Sequence, residues 1–200
     1  MRRWLRKPLI LAYITPILWE LIILCIATLL LASCGPTLEE QYPRKYESFV
    51  TAASIEFGVP EDIIYAVIKC ESDFRPEAVS PVGACGLMQL MPVTYEWLIT
   101  YKMKEECIAE NIFDPESNIR TGACMLKYLY GIFSNWETVF AAYNAGQGTV
   151  GGWLADERYS DDGVTLKEIP YGETKQFVNR IKTARGYYIQ LYYTEESKNG

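Results

Sequence analysis

No histidine occurs among the 200 residues of this chain. That absence removes Ser-His and Cys-His nucleophile pairs, histidine proton shuttles and most zinc catalysis, and it leaves carboxylates as the groups for acid–base work. Grouped cations are also scarce. The formal net charge is −6, and four of the 19 Lys and Arg residues (Arg2, Arg3, Arg6 and Lys7) fall in the first 33 positions against Glu20, so the remainder carries −9. Such a body does not suit nucleic acid, whose phosphates call for clustered Lys and Arg. No alternating strand pattern of useful length and no internal repeat is present. No two cysteines stand at C-x2-C spacing, which argues against a four-thiolate zinc site, and no metal or cofactor is expected. Half the positions are hydrophobic, enough for one core plus an accessory segment and too little for a large multidomain enzyme.

What is present begins with basic residues 2–7, followed from Leu9 to Ala32 by an almost wholly apolar stretch broken by Pro16 and Glu20. The uninterrupted run Leu21–Ala32 has the length of a signal-peptide core and is too short to span a bilayer. It ends Leu31-Ala32-Ser33-Cys34, which resembles a bacterial lipobox, in which the cysteine is lipidated and becomes the new N-terminus. The alternative is one uncleaved anchor helix from Leu9 to Ala32 that tolerates Glu20. Either way, residues 1–33 are expected to be a signal peptide or membrane anchor that places the body on the outer face of the cytoplasmic membrane. Cys70, Cys85, Cys107 and Cys124 belong to the body, where three disulfide pairings, or four free thiols, are open.

Residues 34–45 read as a linker, and helical patterns dominate from Tyr46 onward. Phe49, Val50, Ala53 and Phe57 share one face up to Gly58. Pro60 then suits the first turn of a second helix, with Glu61 and Asp62 at its positive end and Ile63, Ile64, Val67 and Ile68 as its buried face. That helix is expected to stop near Glu71. Further helices are expected from Pro92 to Tyr101, from Ile119 to Phe133 after Asp114-Pro115, from Trp136 to Tyr143 and from Glu173 to Tyr193. The expected fold is a compact all-α domain of about seven helices with chemistry carried on the loops.

The informative stretch is Glu71-Ser72-Asp73-Phe74-Arg75-Pro76, then a turn rich in proline and glycine, then Gly86-Leu87-Met88-Gln89-Leu90-Met91-Pro92. A carboxyl at the end of an apolar helix can face a cleft while its neighbours desolvate it, which raises its pKa and keeps a proton available near neutral pH. The plain alternative for Glu71 is a solvated acid at a helix end.

This segment resembles the signature of soluble lytic transglycosylases and goose-type lysozymes, E-S at a helix end followed by G-L-M-Q-x-M-P. Two more elements in the family's order extend the likeness over residues 46–193. Ala142-Tyr143-Asn144-Ala145-Gly146 resembles A-Y-N-A-G, and Ile169-Pro170, Glu173-Thr174 and Phe177-Val178 resemble P-x-x-E-T-x-x-Y-V. The resemblance implies a lysozyme-like transglycosylase (SLT) domain at 46–193, a tail at 194–200, and peptidoglycan glycan strands as partner. It implies cleavage of the β-1,4 bond between N-acetylmuramic acid and N-acetylglucosamine with 1,6-anhydro ends, catalysed by Glu71 as the single acid and base. It further implies substrate-binding roles for Ser80, Gln89, Met91, Tyr143, Asn144 and Glu173. Asp73, two residues on, reads as a turn acid, and Met88 as core. Phe177 stands where the family usually has tyrosine. The competing functions are a hydrolytic muramidase on the same fold and a catalytically silent glycan-binding module.

Overall fold

The computed structural model describes residues 19–26, 35–103 and 111–194, and the chain divides into two units, Met1–Gln41 and Tyr42–Gly200. Cys34 and most of the apolar N-terminal run lie outside the described residues. In the first unit, residues 19–26 are helical. The segment expected as linker carries one helical turn, Leu38–Gln41. Side chains hold that turn without any apolar periodicity: Thr37 N–H donates to Glu40 Oε2 (2.8 Å) and Glu40 N–H donates to Thr37 Oγ1 (3.2 Å), a reciprocal cap. No helix among the described residues is long and apolar enough to cross a membrane.

The second unit contains helices α1 (Glu47–Phe57), α2 (Glu61–Ser72), α3 (Pro92–Trp97), α4 (Pro115–Phe133), α5 (Trp136–Ala145), α6 (Gln147–Leu154) and α7 (Gly172–Tyr188). Wider π-helical turns extend α3 over Leu98–Met103 and α7 over Ile189–Tyr193. Local chemistry sets the boundaries. Gly58 ends α1 at φ +66°, where a side chain would be strained. Asp114 caps α4 by accepting from Ser117 N–H at 2.9 Å, with Pro115 in the first turn. Asn135 caps α5 by accepting from Thr138 N–H at 3.1 Å.

α2 is the axis of this unit. Six consecutive residues, Ile63 to Ile68, have no exposed surface, so the helix is enclosed on every side and can serve as a rigid post for whatever its end presents. It packs against α7 through Val178, Ile181, Ala184 and Tyr188, and shares a core with Ile119, Ala123 and Leu126 of α4 and Phe140 of α5. Among the described residues there is no strand, only the isolated bridges Val79–Cys85 and Cys85–Leu90 inside the loop after α2. Cys70, Cys85 and Cys124 are free thiols, and Cys107 lies outside the described residues.

The all-α expectation holds, with two corrections. Residues 147–154 form a helix that the sequence reading lacked. Gly148, Gly151 and Gly152 are poor helix formers, but Val150 and Trp153, three residues apart, are both buried and tie the segment to the core. The helix beginning at Pro92 changes to a wider winding at Leu98, short of the expected regular end at Tyr101.

Candidate active site

Glu71 lies in the last turn of α2 and is partly buried. Among the described residues no group donates a hydrogen bond to its carboxylate. Burial disfavours the charged form and pushes its pKa up to about 8, against the opposing pull of the Arg180 cation. The carboxyl expected from sequence to hold a proton is thus in surroundings that keep one near neutral pH.

The chain reverses immediately afterwards. Asp73 and Phe74 both take left-handed backbone, φ +51° and +61°, a costly conformation for a residue as bulky as phenylalanine. It persists because Phe74 is buried and packs near the Tyr65 ring, 6.4 Å between centroids. Asp73 is exposed and pairs with Lys69 at 2.5 Å, the turn role read from sequence. Ser72 Oγ, fully enclosed, donates to Leu87 O at 2.8 Å and lies 3.3 Å from Ile68 O. It thereby ties the end of the helix to the returning arm of the loop.

A side chain not singled out in the sequence fixes that return. Asn118 in α4 has no exposed surface. Its Oδ1 accepts from Met88 N–H at 2.7 Å, and its Nδ2 donates to Cys85 O at 3.2 Å and to Ile112 O at 2.7 Å. Gly86 (φ +79°) approaches so closely that a Cβ there would lie 2.2 Å from Asn118 Nδ2, and one turn along α4 a Cβ on Gly122 would lie 2.2 Å from Met88 Sδ. The sequence signal was a polar residue and a glycine four apart on an otherwise apolar helix face.

From the opposite side, Tyr143 at the end of α5 donates its hydroxyl proton to Met88 O at 2.8 Å. Burial, and then the Glu71 charge, raise the pKa of this phenol, so it lies within electrostatic reach of Glu71. Its hydrogen is committed to the loop, and its oxygen lone pairs remain to accept. Gln89 (φ +47°) uses Nε2 to donate to Ala78 O at 3.0 Å and Gly86 O at 2.8 Å, which leaves Oε1 to accept. Met91 is exposed and Met88 is core. Ser80 Oγ accepts from Ala84 N–H at 2.9 Å and holds the turn; no hydrogen bond joins it to Glu71. Asn144 Oδ1 accepts from Thr174 Oγ1 at 2.7 Å, joining the ends of α5 and α7. Glu173, in the first turn of α7, is exposed. Phe177 is buried, with the Arg180 guanidinium carbon 5.7 Å from its ring centroid.

Residues 48–164 match the family model described as the transglycosylase SLT domain. The soluble lytic murein transglycosylase of Escherichia coli K12 is 35% identical over 155 residues, 76% of this chain and 24% of that protein. The membrane-bound lytic murein transglycosylase C of Pectobacterium atrosepticum is 31% identical over 177 residues, 76% of this chain and 49% of that one. Among solved structures, an inactive glutamate-to-glutamine mutant of the lytic transglycosylase Slt from Pseudomonas aeruginosa superposes with a TM-score of 0.69 at 31% identity, covering 83% of this chain and 27% of the other. The soluble lytic transglycosylase of Escherichia coli gives 0.68 at 30% identity, covering 80% and 26%. The chain spans about a quarter of the length of the soluble relatives, and the matched part is the helical body that carries Glu71. On the three spaced motifs, the fold they build and the family model covering most of that body, this chain belongs to the transglycosylase SLT domain family.

Proposed function

We propose that this protein is a lytic transglycosylase that cleaves the β-1,4 bond between N-acetylmuramic acid and N-acetylglucosamine in peptidoglycan. The observation that carries the reading is Glu71, a carboxyl that accepts no hydrogen bond from the described residues, kept protonated near neutrality by burial and set between a strained loop and Tyr143. Glu71 protonates the glycosidic oxygen as the bond breaks. The substrate's own 2-acetamido oxygen captures the oxocarbenium-like carbon, so no second carboxylate is needed. Glu71, now ionised, takes the proton of the muramic C6 hydroxyl, and the C6 oxygen attacks C1 and displaces the acetamido oxygen, which returns to the N-acetyl carbonyl, to give the 1,6-anhydro ring.

The remaining residues divide by what they have free. Gln89 Oε1 accepts from an N-acetyl N–H, because its amide hydrogens are already engaged. Met91 packs its exposed thioether on a sugar ring. Tyr143 offers a ring face and oxygen lone pairs. Asn144, with its oxygen held by Thr174, keeps N–H donors for a sugar oxygen, and Glu173 accepts from a sugar hydroxyl at the mouth. Ser80 keeps its O–H as a donor while its oxygen holds the turn.

Digestion of peptidoglycan by the full chain, followed by mass spectrometry, tests the proposal. Anhydro-ended muropeptides are expected. Products heavier by one water, with reducing ends, would mean hydrolysis, and no glycan cleavage at all would mean a binding module.

We further propose that the enzyme works at the outer face of the membrane, tethered by a lipid on Cys34. The exposed apolar residues Leu21, Ile22, Ile23, Leu24 and Ile26 ahead of it suit a membrane-directed leader. Cys34→Ala is expected to move the protein out of the membrane fraction; unchanged fractionation would refute the lipid tether.

A further inference from the structure

The helices that carry Glu71 and Tyr143 both begin at a second pocket. It has a volume of about 220 Å³ and is lined by Gly58, Val59 and Pro60 from the turn before α2, Lys127 and Tyr130 from α4, and Trp136, the first residue of α5. That volume is below the roughly 300 Å³ at which pockets for whole drug-sized ligands begin, and it suits one ring of a larger molecule. Pro60 and Glu71 stand at opposite ends of α2, about 16 Å apart along the helix axis, so a single ring in this pocket does not touch the catalytic carboxyl.

One wall of the pocket is aromatic and packed in place. The Trp136 ring lies 4.4 Å from the Tyr130 ring and 6.0 Å from that of the buried Phe140, between centroids, at interplanar angles of 31° and 26°. The same lining residues bring three donors: the Trp136 indole N–H, the Tyr130 hydroxyl and the Lys127 ammonium. Trp136 and Tyr130 are half-buried and Lys127 is exposed. None of the three has a hydrogen-bond or ion-pair partner among the described residues. Elsewhere the tyrosines of this unit commit their hydroxyls: Tyr188 to Pro43 O, Tyr192 to Tyr42 O and Tyr193 to Glu61.

An apolar side chain in the pocket would cover these donors without supplying an acceptor, which costs free energy. A simple anion would meet one cation and an apolar wall. A pyranose supplies C–H groups on its faces and oxygen acceptors around its rim, and so matches both halves of the lining. We propose that this pocket is a second glycan site, which takes one N-acetylated sugar of peptidoglycan outside the catalytic cleft, its ring against Trp136 and Tyr130 and its hydroxyl or acetamido oxygen accepting from Lys127. The choice of this polymer rests on the transglycosylase reading. A strand held at the start of α2 stays bound while Glu71 cuts elsewhere, which keeps the enzyme on an insoluble network between cuts.

The test titrates the full chain, carrying Glu71→Gln to prevent cleavage, with a soluble tetramer of N-acetylglucosamine and follows the indole N–H signal of Trp136 by NMR, assigned with Trp136→Phe. A saturable shift with a midpoint of about 1 mM is expected. Lys127→Ala, an exposed change, should weaken that midpoint about threefold or more. With Glu71 intact, Lys127→Ala should slow release of anhydro products from insoluble sacculi by a similar factor and leave release from soluble four-sugar peptidoglycan strands unchanged, a difference that a general loss of structure would not produce. A Trp136 signal that stays in place up to about 20 mM sugar, a midpoint indifferent to Lys127→Ala, or an equal effect on both substrates overturns the second site; a sacculus-specific loss without any sugar-induced shift would assign the pocket to a protein partner and overturn it too. Anhydro products from the wild type keep the enzymatic reading standing in each of those cases. A Trp136 shift without any anhydro products would sink the enzymatic reading and support the glycan pocket.

Discussion

At the start of α2, Glu61 accepts hydrogen bonds from Thr51 Oγ1 (2.7 Å) and Tyr193 OH (2.8 Å), and Asp62 pairs with Arg185 Nε (2.5 Å). At the end of the same helix Glu71 accepts none from the described residues, and burial raises its pKa to about 8. The helix dipole sharpens the contrast, since its positive end favours the first pair of acids and its negative end disfavours charge on Glu71. One helix therefore holds carboxylates that join it to α1 and α7 and a carboxyl left without such support. The first arrangement stabilises the fold. The second is costly whenever Glu71 ionises, and that is the property an acid catalyst needs.

The contrast breaks most completely with Glu71→Gln. Acid–base catalysis contributes at least about 100-fold, so release of anhydro-ended products should fall by that factor or more. Stability should move the other way. Folded Glu71 binds its proton more tightly than the unfolded chain does, so its favourable contribution is complete below pH 4.5 and is lost as pH rises towards about 8. The glutamine variant should accordingly melt higher than the wild type above pH 8, by a few kcal/mol, and the gain should vanish in acid. Thermal denaturation across that pH range measures it.

Asn118→Ala attacks the support of the unsupported end. It leaves Met88 N–H, Cys85 O and Ile112 O without their buried partner, a loss of about 3 kcal/mol. Activity should fall as well, because Met88 O also positions Tyr143. Denaturant unfolding and kcat on peptidoglycan report the two effects separately. Glu61→Gln, at the supported end, should do least. The amide oxygen can still accept from Thr51 or Tyr193, so the cost should be about 1 kcal/mol or less, with the rate of anhydro-product release unchanged.

How much of this was legible follows from the kind of signal each feature leaves. The enclosed face of α2 is written as Ile63, Ile64, Val67 and Ile68 at helical spacing, and the loop from Glu71 to Pro92 is long and unusual enough to be read as a unit. α6 left no such trace, because its glycines argue against helix and only the tertiary burial of Val150 and Trp153 overrides them. Asn118 belongs to no short motif, and its importance comes from three backbone groups 6, 30 and 33 residues away that only folding brings together. In Ser80 and Asn144 the sequence showed the residues, and the structure shows hydroxyl and amide oxygens already holding backbone or side-chain partners.

The most direct measurement is the titration of Glu71 itself, followed by isotope-edited NMR of the glutamate side-chain carboxyls in the folded protein, with Glu71→Gln supplying the assignment. A midpoint near 8, well separated from the other glutamates, is the predicted result. A midpoint at the ordinary 4.5 would mean that the carboxyl is charged throughout the neutral range, and would contradict it as the proton donor described above.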